Sequence, residues 1–321
     1  MDTNRVARYV GGGQVAIVQE EAPVCPEGGL LVQTLASGLC SGELMDWYME
    51  KKAPHVLGHE VCARVVESQD PRFPVGTTVF PHHHAPCLRC EFCENGRFVH
   101  CEQWRRTKLV PGGMAETFGV PAGNLNDTLV VDGLRPVDAA LIEPLACVMK
   151  SLRFAGVQES DRAAVVGLGV MGLMHMLILP RTAWAYDLNP SRIEWAQGHG
   201  LKASTPDEAT VADIVFVCPG SQVAFDFALS IIAPEGTIVM FAPLGPGQDL
   251  KVPQSAYFND ITIKNSYSCG PNDTKLAYEA LKAGTVKAEQ VVSNFIGIEE
   301  LPTAYGSMKR GEILKPMVIF E

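Results

Sequence analysis

Residues 163–166, Ala-Ala-Val-Val, run straight into Gly167-Leu168-Gly169-Val170-Met171-Gly172, and a helix-compatible apolar stretch begins there. A bare G-x-G-x-x-G arises by chance, but one with a strand before it and a helix after it confines the chain to a parallel β-α-β unit. The glycines allow a tight turn and the close approach of a pyrophosphate to the helix N-terminus, where unbonded N–H groups and the dipole favour an anion. Asp187 closes the next strand-like run about 20 residues further on, the place of the carboxylate that binds ribose hydroxyls. A 2′-phosphate would meet that carboxylate, so NAD is expected over NADP, with Arg192 near enough to soften the preference.

The rest of the second half repeats the alternation. Strands are expected at 163–167, 183–187, 213–218, 236–242 and 261–267, and helices at 170–179, 190–198, 222–232 and 273–282, which gives a parallel sheet covered on both faces. The segment 177–187 leaves almost no loop between the first helix and the second strand. Residues 6–80 read differently: short apolar runs such as 14–18, 30–35 and 61–67, broken by turn signals at 26–29 and 74–76, predict a β-rich domain. From 291 onward short strands return around one helix near 301–309. A chain of 321 residues, 47% hydrophobic and 19% charged, has room for two domains with sizeable cores and little disorder.

Ten cysteines are many for an acidic chain of this kind. Cys87, Cys90, Cys93 and Cys101 are spaced C-x2-C-x2-C-x7-C inside a polar block, 82–108, that has too little apolar content to fold unaided. Four thiolates at that spacing can close a tetrahedral shell around a structural zinc; a ferredoxin-type cluster would bring a further cysteine with its own proline context. His82, His83 and His84 beside them read as a solvated loop. A second set is spread out: Cys40 in Gly-Leu-Cys-Ser-Gly-Glu, His59 and Glu60 in Gly-His-Glu, and Glu143 in Leu-Ile-Glu-Pro. One thiolate, one imidazole and a carboxylate, with a fourth position open, is the pattern of catalytic zinc. Cys25, Cys62, Cys147, Cys218 and Cys269 show no ligand spacing and read as small, mostly buried apolar residues.

Arg5 and Arg8 near the start are followed by no apolar run of signal-peptide length, and no uninterrupted run is long enough to span a membrane. A cytoplasmic, reducing setting is expected, where clustered cysteines read as metal ligands before disulfides. The formal net charge of −10 argues against a nucleic-acid partner.

Taken in order, Cys40, Gly58-His59-Glu60, the four-cysteine lobe, Glu143-Pro144 and the glycine fingerprint resemble the zinc-dependent medium-chain dehydrogenase/reductase family over essentially the whole chain. Glu143-Pro144-Leu145 and Ile261-Thr262-Ile263-Lys264 look like its sorbitol (polyol) and threonine dehydrogenase branch; liver-type alcohol dehydrogenases place a cysteine where this chain has Glu143. The resemblance implies an α/β protein with a GroES-like β-rich catalytic domain, 1–146 and 286–321, and a doubly wound Rossmann domain, 147–285. It implies two zinc ions, a catalytic one on Cys40, His59 and either Glu60 or Glu143 and a structural one on the four cysteines. It also implies an active site in a cleft between the domains, a basic residue near the cofactor phosphates at Lys315, and a homodimer or homotetramer.

The activity implied is hydride transfer between NAD and a small secondary alcohol, a polyol or sugar derivative. Threonine or simple-alcohol oxidation and a non-catalytic NAD- and zinc-binding regulator are the alternatives. Gly42 and Met45 occupy positions where the family carries its proton-relay hydroxyl and histidine, which leaves Ser41, Glu60 and Glu143 as candidates. Trp47, Tyr48, Trp104 and Arg105 are the expected substrate-pocket residues.

Overall fold

The computed structural model describes residues 3–320, which divide into two units: residues 3–146 with 269–320, and Cys147–Ser268.

In the first unit a mainly antiparallel sheet is ordered Asn294–Ile296, Pro316–Ile319, Leu30–Gly38, Glu60–Ser68, Thr78–Pro81, Thr128–Val130, and Thr117–Val120 also pairs with Leu30–Gly38. A smaller sheet joins the hairpin Thr3–Gly11/Gln14–Glu21 to His55–Val56. Alternation along the strands puts Leu30, Val32, Val61, Ala63, Val65, Val79 and Phe118 into one core. Helix Leu301–Lys309 lays Leu301, Tyr305 and Met308 against Tyr9, Leu39, Met49 and Val318 in another.

Register is what builds the site. Leu30–Gly38 runs antiparallel to Glu60–Ser68 with Gly38 opposite Glu60, so Cys40, just past the end of one strand, and His59, just before the start of the other, emerge at the same sheet end. Met317 pairs with Gly38 from the other side, which carries Lys315 to that end as well. A Cβ on Gly38 would collide with the Glu60 carboxylate and crowd the Lys315 side chain, so a side chain there would displace that pair.

The second unit is a six-stranded parallel sheet in the order Ala203–Ser204, Trp184–Tyr186, Ala163–Val166, Ala212–Val217, Ile232–Met240, Thr262–Asn265. With the first strand in chain order third in space and the fourth beside it, this is the 3-2-1-4-5-6 order of a dinucleotide fold. Ala164, Val166, Val215, Val217, Phe225, Ile238 and Met240 form its core, with Phe225 supplied by helix Gln222–Ile231. Helices Val170–Ile178 and Pro190–Gly198 fall close to their expected spans. The two-residue strand Ala203–Ser204 was not anticipated, being too short to show a period.

One boundary is corrected. The second unit ends at Ser268, not at 285, and helix Pro271–Lys282 belongs to the first unit. Its attachments explain this: the Thr274 hydroxyl donates to Asp127 Oδ1 at 2.7 Å, the Trp104 indole N–H donates to the Cys269 carbonyl at 3.2 Å, and Gly270 packs against Phe98. Strand-helix alternation in sequence carries no record of which sheet a trailing helix covers.

Helix Val170–Ile178 crosses close over its own turn, and a Cβ on Gly172 would collide with the Gly167 carbonyl. Gly172→Ala is expected to cost ~1–3 kcal/mol of stability by overpacking and to weaken dinucleotide binding at least tenfold, checked by denaturant unfolding and by cofactor titration.

Candidate active site

Cys40 caps the short 3-10 helix Ser41–Leu44, its sulfur accepting from the Gly42 N–H at 3.3 Å. The ligand atoms of Cys40, His59 and Glu60 all lie within 4.8 Å of one another, close enough for a single metal ion to touch all three. Glu43, 3% exposed, stands behind them: its Oε1 lies 3.4 Å from His59 Nδ1 and accepts from the Gly58 N–H at 2.9 Å. The Tyr305 hydroxyl donates to the Glu43 carbonyl at 2.9 Å. A carboxylate on Nδ1 fixes the ring and leaves Nε2 as the ligand nitrogen.

The electrostatics agree with a cation site. Burial pushes the Cys40 thiol up, against the pull of His59. Burial alone would lower His59, but Cys40 and Glu43 outweigh it and hold the imidazole well above its ordinary range. Glu60 is raised by burial and partly restored by Lys315, whose ammonium is paired with Glu60 Oε2 and donates to the Leu39 carbonyl at 2.9 Å. Lys315 is 1% exposed, so its ammonium is occupied as a counter-ion inside the first unit; the expectation that it serves cofactor phosphates is corrected. The sequence shows a basic residue before the last strand but not the register that aims it at Glu60.

Glu143 does not join Cys40 and His59 in the tightest grouping. Its carboxylate lies within 4.8 Å of His82 Nε2 or Nδ1 and Cys269 Sγ, although its charge is still felt at Cys40 and Glu60. The three-histidine run is likewise not a solvated loop. His82 is fully buried, the His83 ring lies tilted against that of His59 with centroids 4.6 Å apart, and His84 packs 4.2 Å from Trp104, burial pushing His84 down to about 3. Each histidine finds a polar or aromatic neighbour that local sequence does not reveal.

The four cysteines of the lobe converge as their spacing demands, Cys90 Sγ 3.5 Å and Cys87 Sγ 3.9 Å from Cys93 Sγ, all four within 4.8 Å. Val99, Cys93, Cys101 and Trp104 form the lobe's small core. Trp104 is 2% exposed with its N–H committed to Cys269, so it is a structural residue and not a pocket wall. Arg105 is exposed on helix Glu102–Arg106. Trp47 and Tyr48 are partly exposed on helix Asp46–Met49, capped by Lys51 and Lys52, and Ser41 is exposed beside Cys40. No disulfide joins any of the ten cysteines among the described residues. Of the five without ligand spacing, Cys62 and Cys269 are buried, whereas Cys25, Cys147 and Cys218 are only partly so.

In the second unit Gly167 turns with φ +91° and donates its N–H to the Tyr186 carbonyl at 2.8 Å. Gly169 caps the helix Val170–Ile178, and a Cβ there would enter open space, the room a pyrophosphate needs at this N-terminus. Asp187 Oδ2 accepts from the Leu168 N–H at 2.6 Å and Oδ1 from the Asn189 N–H at 2.8 Å, so the carboxylate braces the turn. Arg192 lies 3.8 Å from it.

Residues 26–128 match the alcohol dehydrogenase GroES-like domain family. The chain is 28% identical to D-altritol 5-dehydrogenase of Agrobacterium fabrum, over 83% of this chain and 84% of that one, and 23% identical to D-xylulose reductase A of Aspergillus oryzae, over 90% and 88%. These similarities support the zinc-dependent medium-chain dehydrogenase/reductase family. The fold of this dehydrogenase is shared with L-idonate 5-dehydrogenase of Escherichia coli at a TM-score of 0.86 and 19% identity, over 99% and 98% of the two chains.

Sequence reasoning missed one residue of the dehydrogenase's site that a signal could have found: Glu43, an acid three positions after the zinc-type cysteine. Glu43→Gln is expected to weaken metal binding at the Cys40 site about 10–100-fold, as loss of a ligand's carboxylate partner generally does, measured by chelator competition with the four-cysteine metal as internal reference.

Proposed function

We propose that the chain is a zinc- and NAD-dependent oxidoreductase that transfers hydride between a secondary hydroxyl of a polyol or sugar derivative and the nicotinamide. The observation that carries this reading is the convergence of Cys40, His59 and Glu60 at one sheet end of a GroES-like unit, in a chain whose other unit presents a glycine turn of dinucleotide type. The similarity to polyol-acting relatives supports the substrate class.

The donor sets fit the metals. Cys87, Cys90, Cys93 and Cys101 would hold a structural zinc, and Cys40, His59 and Glu60 a catalytic one. When bound, the catalytic metal supplies Lewis acidity toward an alcohol oxygen and the dinucleotide supplies the hydride acceptor. The chain's own residues do the rest. Glu43 holds the His59 ring, Lys315 pairs with the Glu60 carboxylate and offsets part of the cost of its burial, and Glu60, Glu143 and Ser41 are the groups able to take the substrate proton, since Gly42 and Met45 have none to exchange. Holding both reactants in attack geometry can contribute ~7–11 kcal/mol of the barrier. Asp187, with its carboxylate at the end of the second strand, favours NAD over NADP.

An edge strand flanked by exposed aromatic residues and a set of unbridged thiols support two further parts of the reading. Thr262–Asn265 is an edge strand with Tyr257, Phe258 and Tyr267 exposed around it, which favours a homodimer or homotetramer. Ten cysteines without a disulfide suit the cytoplasm; no helix among the described residues is long and apolar enough to cross a membrane.

Cys40→Ser is expected to abolish turnover while leaving NAD affinity within about twofold; retained turnover would contradict the assignment. Asp187→Ser is expected to raise the NADP/NAD ratio of kcat/KM at least tenfold, the gain that relief of a carboxylate-phosphate clash should bring.

A further inference from the structure

The three rings of the run His82-His83-His84 are committed differently. His82 Nδ1 lies 2.7 Å from Asp127 Oδ2, and His84 Nδ1 lies 2.9 Å from the Thr107 carbonyl oxygen. No hydrogen bond reaches His83 Nδ1, which is closed off from solvent. His83 Nε2 is not closed off, and no protein group among the described residues bonds it. The residue is nevertheless fixed. Asn124, fully buried, donates from Nδ2 to the His83 carbonyl at 2.9 Å, and the ring lies between those of His59 and His84, with centroids 4.6 and 4.1 Å away.

A proton on Nδ1 would be a buried donor with no acceptor, so the neutral ring carries its proton on Nε2. A second proton would leave Nε2 a donor as well. His83 therefore offers an N–H on its open side while its ring rests against a metal-binding histidine. It is not in the ligand group of Cys40, His59 and Glu60. A zinc on His59 Nε2 would stand about 3 Å from the centre of that ring, hence within about 8 Å of the centre of His83. A metal-bound oxygen together with a hydroxyl on the adjoining carbon spans such a gap. A desolvated donor that a substrate cannot match counts against that substrate, and one that it matches counts in favour.

We propose that His83 selects the substrate: its Nε2–H donates to the hydroxyl on the carbon next to the one oxidised, so that the site prefers vicinal diols and polyols to simple secondary alcohols. The inference rests on the dehydrogenase reading above and narrows it, since hydride transfer itself needs one hydroxyl and selection by His83 needs two.

The probes are xylitol, butane-2,3-diol and butan-2-ol, the last two differing by a single hydroxyl. His83→Phe keeps an aromatic ring against His59 and removes the donor. Its preference in kcat/KM for the diol over butan-2-ol is expected to fall about tenfold, the size of one hydrogen bond, with zinc content and the butan-2-ol value within about twofold of the parent. His83→Gln, which restores a donor, should recover part of the preference. Calorimetric titration of the zinc-replete chain with xylitol, without dinucleotide, should show about tenfold weaker binding in His83→Phe. An equal loss on both alcohols, an unchanged preference or an unchanged xylitol affinity overturns the proposal. Should His83→Phe not fold, the parent still decides: equal kcat/KM on butane-2,3-diol and butan-2-ol overturns it. Failure of the dehydrogenase reading shows separately, as a parent that turns over no alcohol. Xylitol binding then judges His83 alone, and a parent that does not bind xylitol overturns the proposal too.

Discussion

Burial of charge at one end of the main sheet of the first unit is the constraint on which this structure depends. Glu43, Glu60 and Lys315 are almost completely inaccessible to solvent, and His59 stands against them. Removing such groups from water costs several kcal/mol each unless partners replace the lost hydration. The fold meets that requirement through register: Gly38 opposite Glu60, and Met317 opposite Gly38, place thiol, imidazole, carboxylate and ammonium where each has a counterpart. The same register leaves the ligand atoms of Cys40, His59 and Glu60 within 4.8 Å of one another, the geometry on which the proposed metal centre rests.

The second unit makes a more economical use of the same physics. Backbone N–H groups at the start of helix Val170–Ile178 supply the positive end of a dipole without burying an ion. Asp187 braces the turn through Leu168 and Asn189, so the carboxylate expected to discriminate cofactors also shapes the glycine loop proposed to meet their phosphates. On the proposed reading, discrimination and turn geometry are coupled through one side chain.

Much of this was legible in the sequence because it is locally encoded. The glycine fingerprint carries its own strand and helix, the four cysteines lie within one short lobe, and Asp187 follows at a fixed interval. What was not legible depends on pairing between distant segments. Lys315 looks like a surface or phosphate-binding lysine until the last strand pairs with Leu30–Gly38. His82 looks like part of a solvated run until Asp127, Thr274 and Cys269 arrive from positions up to 192 residues away. Trp104 looks like a pocket aromatic until its N–H finds Cys269. The trailing helix Pro271–Lys282 continues the alternation of the second half yet packs with the first unit, because its polar anchors, not its period, decide where it sits.

The account stands on a reactive metal centre at Cys40 and His59 working with a nicotinamide. The most direct measurement is NADH formation by the zinc-replete chain over a panel of polyols, sugars, amino alcohols and simple secondary alcohols, repeated after chelation and after zinc is restored. The account predicts turnover concentrated on polyols, lost on chelation and recovered with zinc. Firm NAD binding with no turnover on any member of the panel would contradict it.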